Sequence, residues 1–131
     1  MNKHSPTERK HILLVENSKT ARHSIVSEVT KYGYAVKSVA TGKEALEALH
    51  KSHYDLVIMD LLLPELNGYE AAELIKQSKP DNNTPIFAYT SSDSETDRRR
   101  CQQAGITEYI LKSEHHTQLL DKIKAILAPI P

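Results

Sequence analysis

The sequence predicts an α/β domain, a parallel sheet with helices on both faces. Two observations carry this. Short apolar runs rich in β-branched residues alternate with longer segments of helical spacing, and the alternation repeats five times. The first run, Ile12-Leu13-Leu14-Val15, is apolar at consecutive positions, the pattern of a strand buried on both faces. Crossovers between successive parallel strands are expected to be right-handed.

Each element has its own signal. After the first strand, Ala21, Ile25, Val29 and Tyr32 recur at helical spacing, with Asn17 or Ser18 as the cap and Gly33 as the stop. A second strand is expected from Tyr34 to Val39. Thr41-Gly42-Lys43-Glu44 has capping-box spacing and opens a helix with Ala45, Leu46 and Leu49 on one stripe. Leu56-Val57-Ile58-Met59 reads as the third strand, ending at Asp60. A loop from Leu61 to Asn67 contains Pro64. Gly68 begins a third helix with Ala71, Ala72, Leu74 and Ile75 available to pack inward, and Lys79-Pro80-Asp81-Asn82-Asn83 is a loop. Ile86-Phe87-Ala88-Tyr89 is the fourth strand, ending at Thr90. A charged helix follows from about Asp93 to Ala104, stopped by Gly105. Tyr109-Ile110-Leu111 is the fifth strand, ending at Lys112. Ser113 is placed to cap a last helix with Leu119, Leu120, Ile123, Ile126 and Leu127 on one face, and Pro129 and Pro131 close the chain.

Composition narrows the function. A chain of 131 residues is one domain's worth and can hold a core without staples. One cysteine, Cys101, excludes an intrachain disulfide and suits a reducing, cytoplasmic setting. Seventeen basic and seventeen acidic residues cancel, so the basic excess of a nucleic-acid binder is missing. No apolar run approaches a membrane span, and residues 1–10 lack the apolar stretch of a signal peptide. The expected organisation is a flexible leader over 1–10, a domain over 11–127 and a short tail over 128–131. With so little chain after Leu127, the domain is expected to stand alone or to be cut from a longer chain.

In a sheet of this kind, chemistry collects at the carboxyl ends of the strands. Here those ends are polar: Glu16-Asn17, Asp60, Thr90-Ser91 and Lys112-Ser113. Together they bring carboxylates, an amide, hydroxyls and an ammonium towards one shallow pocket. Neighbouring oxygen ligands suit a hard divalent cation such as Mg²⁺. A lysine and a hydroxyl bind phosphoryl oxygens, and a carboxylate between them can attack phosphorus to form an acyl phosphate.

At this point the chain resembles the receiver domain of two-component response regulators, from about His11 to Leu127. The resemblance rests on Ile12 to Asn17, on Tyr54 to Asp60 followed by Pro64 and Asn67-Gly68, on Pro85 to Thr90, and on Tyr109 to Lys112. It implies a flavodoxin-like (βα)5 sandwich with strand order 2-1-3-4-5. It implies that Asp60 is the phosphoacceptor, loaded by a sensor histidine kinase or a histidine phosphotransfer protein. Glu16, Asn17, Asp60 and the backbone carbonyl of Leu62 would bind Mg²⁺. Thr90 would bind phosphoryl oxygens and Lys112 would neutralise them. Tyr109 matches the aromatic switch that turns inward when Thr90 moves, and the face of the fourth helix, fifth strand and fifth helix would report the change to a downstream protein. Leu62 and Ser92, each two residues past a site residue, would tune phosphate loss. The family implication is a phosphoacceptor that assists its own transfer and dephosphorylation, not a classical enzyme, with neither nucleic acid nor membrane as a direct partner.

Two positions depart from the family's pattern. Asn17 stands where a second acid is usual, which removes one charge from the metal ligands. Ser113 follows Lys112 where proline is usual, and a cis bond without proline costs about 2.5–4 kcal/mol, so a trans bond is expected. These departures keep open a second function class, a degenerate receiver acting as a phosphorylation-independent interaction module. Asp60, Thr90 and Lys112 favour the first class. Elsewhere the plainer readings hold. Tyr109 alone is also compatible with an ordinary strand aromatic. Arg98-Arg99-Arg100 is a solvated helix face with local ion pairs worth roughly 0.2–0.5 kcal/mol each. His50, His53, His115 and His116 read as solvated side chains rather than metal ligands, and Cys101 as an inert helix residue. Ser18-Lys19-Thr20 lacks the glycines of a phosphate-binding loop.

Overall fold

The computed structural model describes residues 9–78 and 83–127. Most of the expected leader, the loop at 79–82 and the closing prolines lie outside the described residues. The chain runs β1 (His11–Val15), α1 (Lys19–Thr30), β2 (Ala35–Val39), α2 (Gly42–Lys51), β3 (Leu56–Met59), α3 (Gly68–Ser78), β4 (Ile86–Thr90), α4 (Glu95–Gln103), β5 (Glu108–Leu111) and α5 (Thr117–Ile126). All strand pairs are parallel, in the order β2-β1-β3-β4-β5. This is the flavodoxin-like order.

The continuous apolar runs are explained by two cores, one on each face of the sheet. Leu13, Val15, Val57, Met59, Ile86 and Ala88 pack against α2, α3 and α4. Their alternate neighbours Ile12, Leu14, Leu56, Ile58, Phe87 and Tyr89 pack against α1 and α5. A strand with both faces covered has no position left for a polar residue until it ends. Among the described residues no helix is long and apolar enough to cross a membrane.

Local chemistry sets the helix ends. Ser18, not Asn17, caps α1 by accepting from Ala21 N–H at 3.2 Å. Thr41 caps α2 through Glu44 N–H, while the Glu44 carboxylate reaches back to Ala40 N–H at 2.9 Å. Gly33 takes φ +92°, a conformation that glycine adopts without a Cβ penalty. Ser94 caps α4, which therefore begins two residues later than expected. Three expectations are corrected. Leu74 and Ile126 are each 39% exposed, because the core stripes of α3 and α5 are already filled by Ala71, Ala72 and Ile75 and by Leu119, Leu120 and Ile123. Ser113 does not cap α5; that position is His116, in a left-handed conformation and without a side-chain cap bond. The Lys112–Ser113 bond is trans, as expected, with no cis peptide among the described residues.

Candidate functional site

The carboxyl ends of β1, β3, β4 and β5 lie side by side because the sheet order makes β1, β3, β4 and β5 successive neighbours. Each apolar run stops where the chain leaves the core, so the first polar residue of each loop faces its counterparts. Glu16 follows β1 and Asp60 follows β3, and both are buried, at 3% and 7% exposure. Lys112 follows β5. Its ammonium donates to Glu16 Oε1 at 2.7 Å and to Asp60 Oδ2 at 2.9 Å.

The remaining carboxylate oxygens are held by backbone. Ser18 N–H donates to Glu16 Oε2 at 3.0 Å, and Leu62 N–H donates to Asp60 Oδ1 at 3.0 Å. Two carboxylates share one ammonium, so the cluster carries a net negative charge. Burial by itself lowers the Lys112 pKa. Its bonds to Glu16 and Asp60 outweigh burial and raise it above the ordinary lysine value, so Lys112 stays charged. Gly68, at the start of α3, lets the backbone after Asp60 pack closely: a Cβ there would lie 2.7 Å from the Asp60 carbonyl and 2.8 Å from Leu61 Cα.

The other expected residues are placed differently. Thr90 is fully buried, and its Oγ1 accepts from Ser92 N–H at 3.2 Å rather than bonding Asp60. Asn17 is exposed, and its amide nitrogen donates to the Ala40 carbonyl at 3.4 Å. Leu62 is 66% exposed beside the cluster. Tyr109 is half-buried and packed on the core, with its hydroxyl donating to the Ser92 carbonyl and the Arg98 guanidinium 4.4 Å over its ring.

Several site residues escaped the sequence reading. Arg22 donates to the carbonyls of Glu16 and Asn17 at 2.9 and 3.1 Å, pinning the loop after β1. Asp97 accepts from the hydroxyls of Ser92, at 2.7 Å, and Tyr69. The Ser92 bond, ahead of the Tyr69 bond, holds the Asp97 carboxyl below its ordinary pKa. Ser92 is thus tied to Thr90, Asp97 and Tyr109 at once. None of these links has a signal in the sequence, since helical arginines and aspartates are usually solvated. His116, expected to be solvated, is buried; its neighbour His115 is exposed, as are His50 and His53.

Chemically, a buried carboxylate beside a fixed ammonium is a nucleophile held near positive charge. The oxygens of Glu16 and Asp60 are hard donors suited in kind to Mg²⁺. A family model for the response regulator receiver domain matches residues 12–124. The chain belongs to this family. The receiver domain is 28% identical over 117 residues to protein PilH of Pseudomonas aeruginosa, covering 89% of this chain and 97% of PilH. It is 28% identical over 116 residues to the transcriptional regulatory protein HprR of Escherichia coli, covering 88% of this chain and 51% of HprR, so it spans about half the length of that relative. Among solved structures, it resembles the response regulator protein TrrA of Thermotoga maritima, described in complex with Mg²⁺–BeF, with a TM-score of 0.81, 30% identity, and coverage of 90% of this chain and 99% of that one. Receiver domains are signalling domains of two-component systems rather than classical enzymes.

Proposed function

We propose that Asp60 accepts a phosphoryl group from a phosphohistidine on a sensor histidine kinase or a histidine phosphotransfer protein, in a Mg²⁺-dependent reaction that switches a protein-interaction surface. The reading is carried by the Asp60 carboxylate, buried and 2.9 Å from the Lys112 ammonium, with Glu16 on the same ammonium. A carboxylate oxygen of Asp60 attacks phosphorus. The P–N bond breaks, its electron pair stays on the histidine nitrogen, and the P–O bond of an acyl phosphate forms. Lys112 turns part of its positive charge to the phosphoryl oxygens, and Thr90 leaves Ser92 to donate its hydroxyl to one of them.

Glu16, Asn17, Asp60 and the Leu62 carbonyl are the residues that would hold Mg²⁺. When bound, the ion offsets the negative charge of the phosphoryl oxygens. The Mg²⁺–BeF complex of the similar TrrA supports this assignment. Because Ser92 bonds both Thr90 and Tyr109, movement of Thr90 reaches the face formed by α4, β5 and α5, where a downstream protein docks.

The test is intact mass after incubation with acetyl phosphate and Mg²⁺. A gain of one phosphoryl group that vanishes in Asp60→Asn is expected. No gain at any Mg²⁺ concentration, together with no transfer from the cognate kinase, removes this reading. One observation favours the second reading, a phosphorylation-independent interaction module: the Asn17 amide nitrogen is engaged with the Ala40 carbonyl.

A further inference from the structure

The loop that carries Lys112 into the site lacks a proline after the lysine, and a different device holds it. Tyr89, the residue before Thr90, is 1% exposed and lies on the α1–α5 face of the sheet. Its hydroxyl accepts from Ser113 N–H at 3.4 Å and lies 2.5 Å from His116 Nδ1. His116 Nε2 lies 2.9 Å from Ser24 Oγ on α1, and the two rings meet edge-on at 5.7 Å. His116 is also the left-handed residue that starts α5.

These contacts have a direction. With His116 Nδ1 unprotonated, the Tyr89 oxygen receives the Ser113 amide proton while the Tyr89 hydroxyl donates to Nδ1. That nitrogen is then the acceptor, and Nε2 carries the hydrogen towards Ser24. In this neutral tautomer every donor of the chain, the Tyr89 hydroxyl proton included, has an acceptor. A proton on Nδ1 would face the Tyr89 hydroxyl proton, forcing that hydroxyl to turn away in a buried setting where a donor without an acceptor is costly.

We propose that Tyr89 and His116 are positioning residues for Lys112: the bonds Ser113–Tyr89–His116–Ser24 anchor the loop between β5 and α5 and so aim the Lys112 ammonium at Asp60. This rests on the function proposed above and goes beyond it by adding a pH-sensitive anchor to the site. The charged groups around His116 are Glu28 on α1, Lys112 at the end of β5 and the neighbouring His115. Burial, and after it Lys112 and His115, favour the neutral ring. Glu28 opposes them, but it is itself paired with Lys31 at 2.9 Å. The anchor is therefore set at neutral pH and released on acidification.

The test compares wild type with Tyr89→Phe and His116→Gln. Phosphorylation by acetyl phosphate at saturating Mg²⁺ is followed by intact mass between about pH 8 and about pH 5.5. Both variants are expected to be slower at neutral pH, by about tenfold, as expected for a displaced catalytic group. The wild-type rate should carry an acid step that is absent in His116→Gln. In parallel, NMR on the unphosphorylated wild type follows the His116 ring, the Ser113 amide and the Lys112 ε-carbon through the same range. Expected is one shared midpoint for all three. Independent midpoints, or an unmoved Lys112, overturn the proposal, as do variants with wild-type rates and pH profiles. Should the wild type take no phosphoryl group at all, the phosphoacceptor reading fails, while the NMR titration still decides the anchor.

Discussion

The Lys112 ammonium lies 2.9 Å from a carboxylate oxygen of Asp60, 52 residues earlier in the chain. The same ammonium holds Glu16, and both carboxylates are buried. Lys112→Met leaves two buried carboxylates without their cation. The unfolding midpoint in urea should fall, with a loss of about 1–3 kcal/mol. Phosphoryl acceptance should slow by roughly 10²–10³-fold, the cost of removing a preorganised charge partner. An unchanged urea midpoint would contradict the pairing.

Asn17 supplies an amide where a carboxylate would add a negative charge. Asn17→Asp should lower the Mg²⁺ concentration needed for half-maximal phosphorylation by roughly tenfold, from the added charge near a divalent ion. Calorimetric Mg²⁺ titration of the unphosphorylated protein should show the same change. An unaltered requirement argues against Asn17 as a ligand.

Gly68 is needed for space rather than for an unusual φ. A methyl group there meets backbone atoms of Asp60 and Leu61 at 2.7 and 2.8 Å, and neither can turn aside. Gly68→Ala should lower stability by about 1–3 kcal/mol, the usual range for overpacking. It should also slow phosphorylation, because the backbone that yields is that of Asp60. Thermal unfolding and phosphorylation rate should change together; wild-type values for both would refute the steric argument.

His116 links stability to pH. Burial first, then Lys112 and His115, hold it below the ordinary value of 6.5 against the opposing pull of Glu28. The unfolded chain therefore binds this proton more readily than the folded one, and stability rises with pH across that interval. The contribution is full above about pH 6.5 and is lost as pH falls through the folded-state value. Thermal midpoints measured at about pH 7.5 and about pH 5.5 should differ more for wild type than for His116→Gln. Equal differences would mean that another group dominates.

Much of the fold was legible because each rule involved neighbouring residues. Four consecutive apolar residues at Ile12–Val15 and at Leu56–Met59 marked strands covered on both faces, and Thr41 with Glu44 marked the start of α2. Polar residues at the ends of the strand runs pointed to the carboxyl end of the sheet, where Glu16, Asp60 and Lys112 meet. The rest depended on contacts between distant residues. Leu74 and Ile126 had helical spacing but no room in the core. His116 looked solvated because its partners, Ser24 and Tyr89, are 92 and 27 residues away.

The amino-acid sequence by itself determined the α/β class, the alternation of elements and the identity of the polar groups that end the strands. These follow from short-range periodicity and from the need to bury apolar side chains. Only the tertiary structure decided that one ammonium is shared by two carboxylates, that Ser92 ties Thr90 to Tyr109, and that a buried histidine anchors the lysine loop. The physical reason is that hydrogen bonds and ion pairs act over about 3 Å, a separation that packing, not proximity along the chain, brings about.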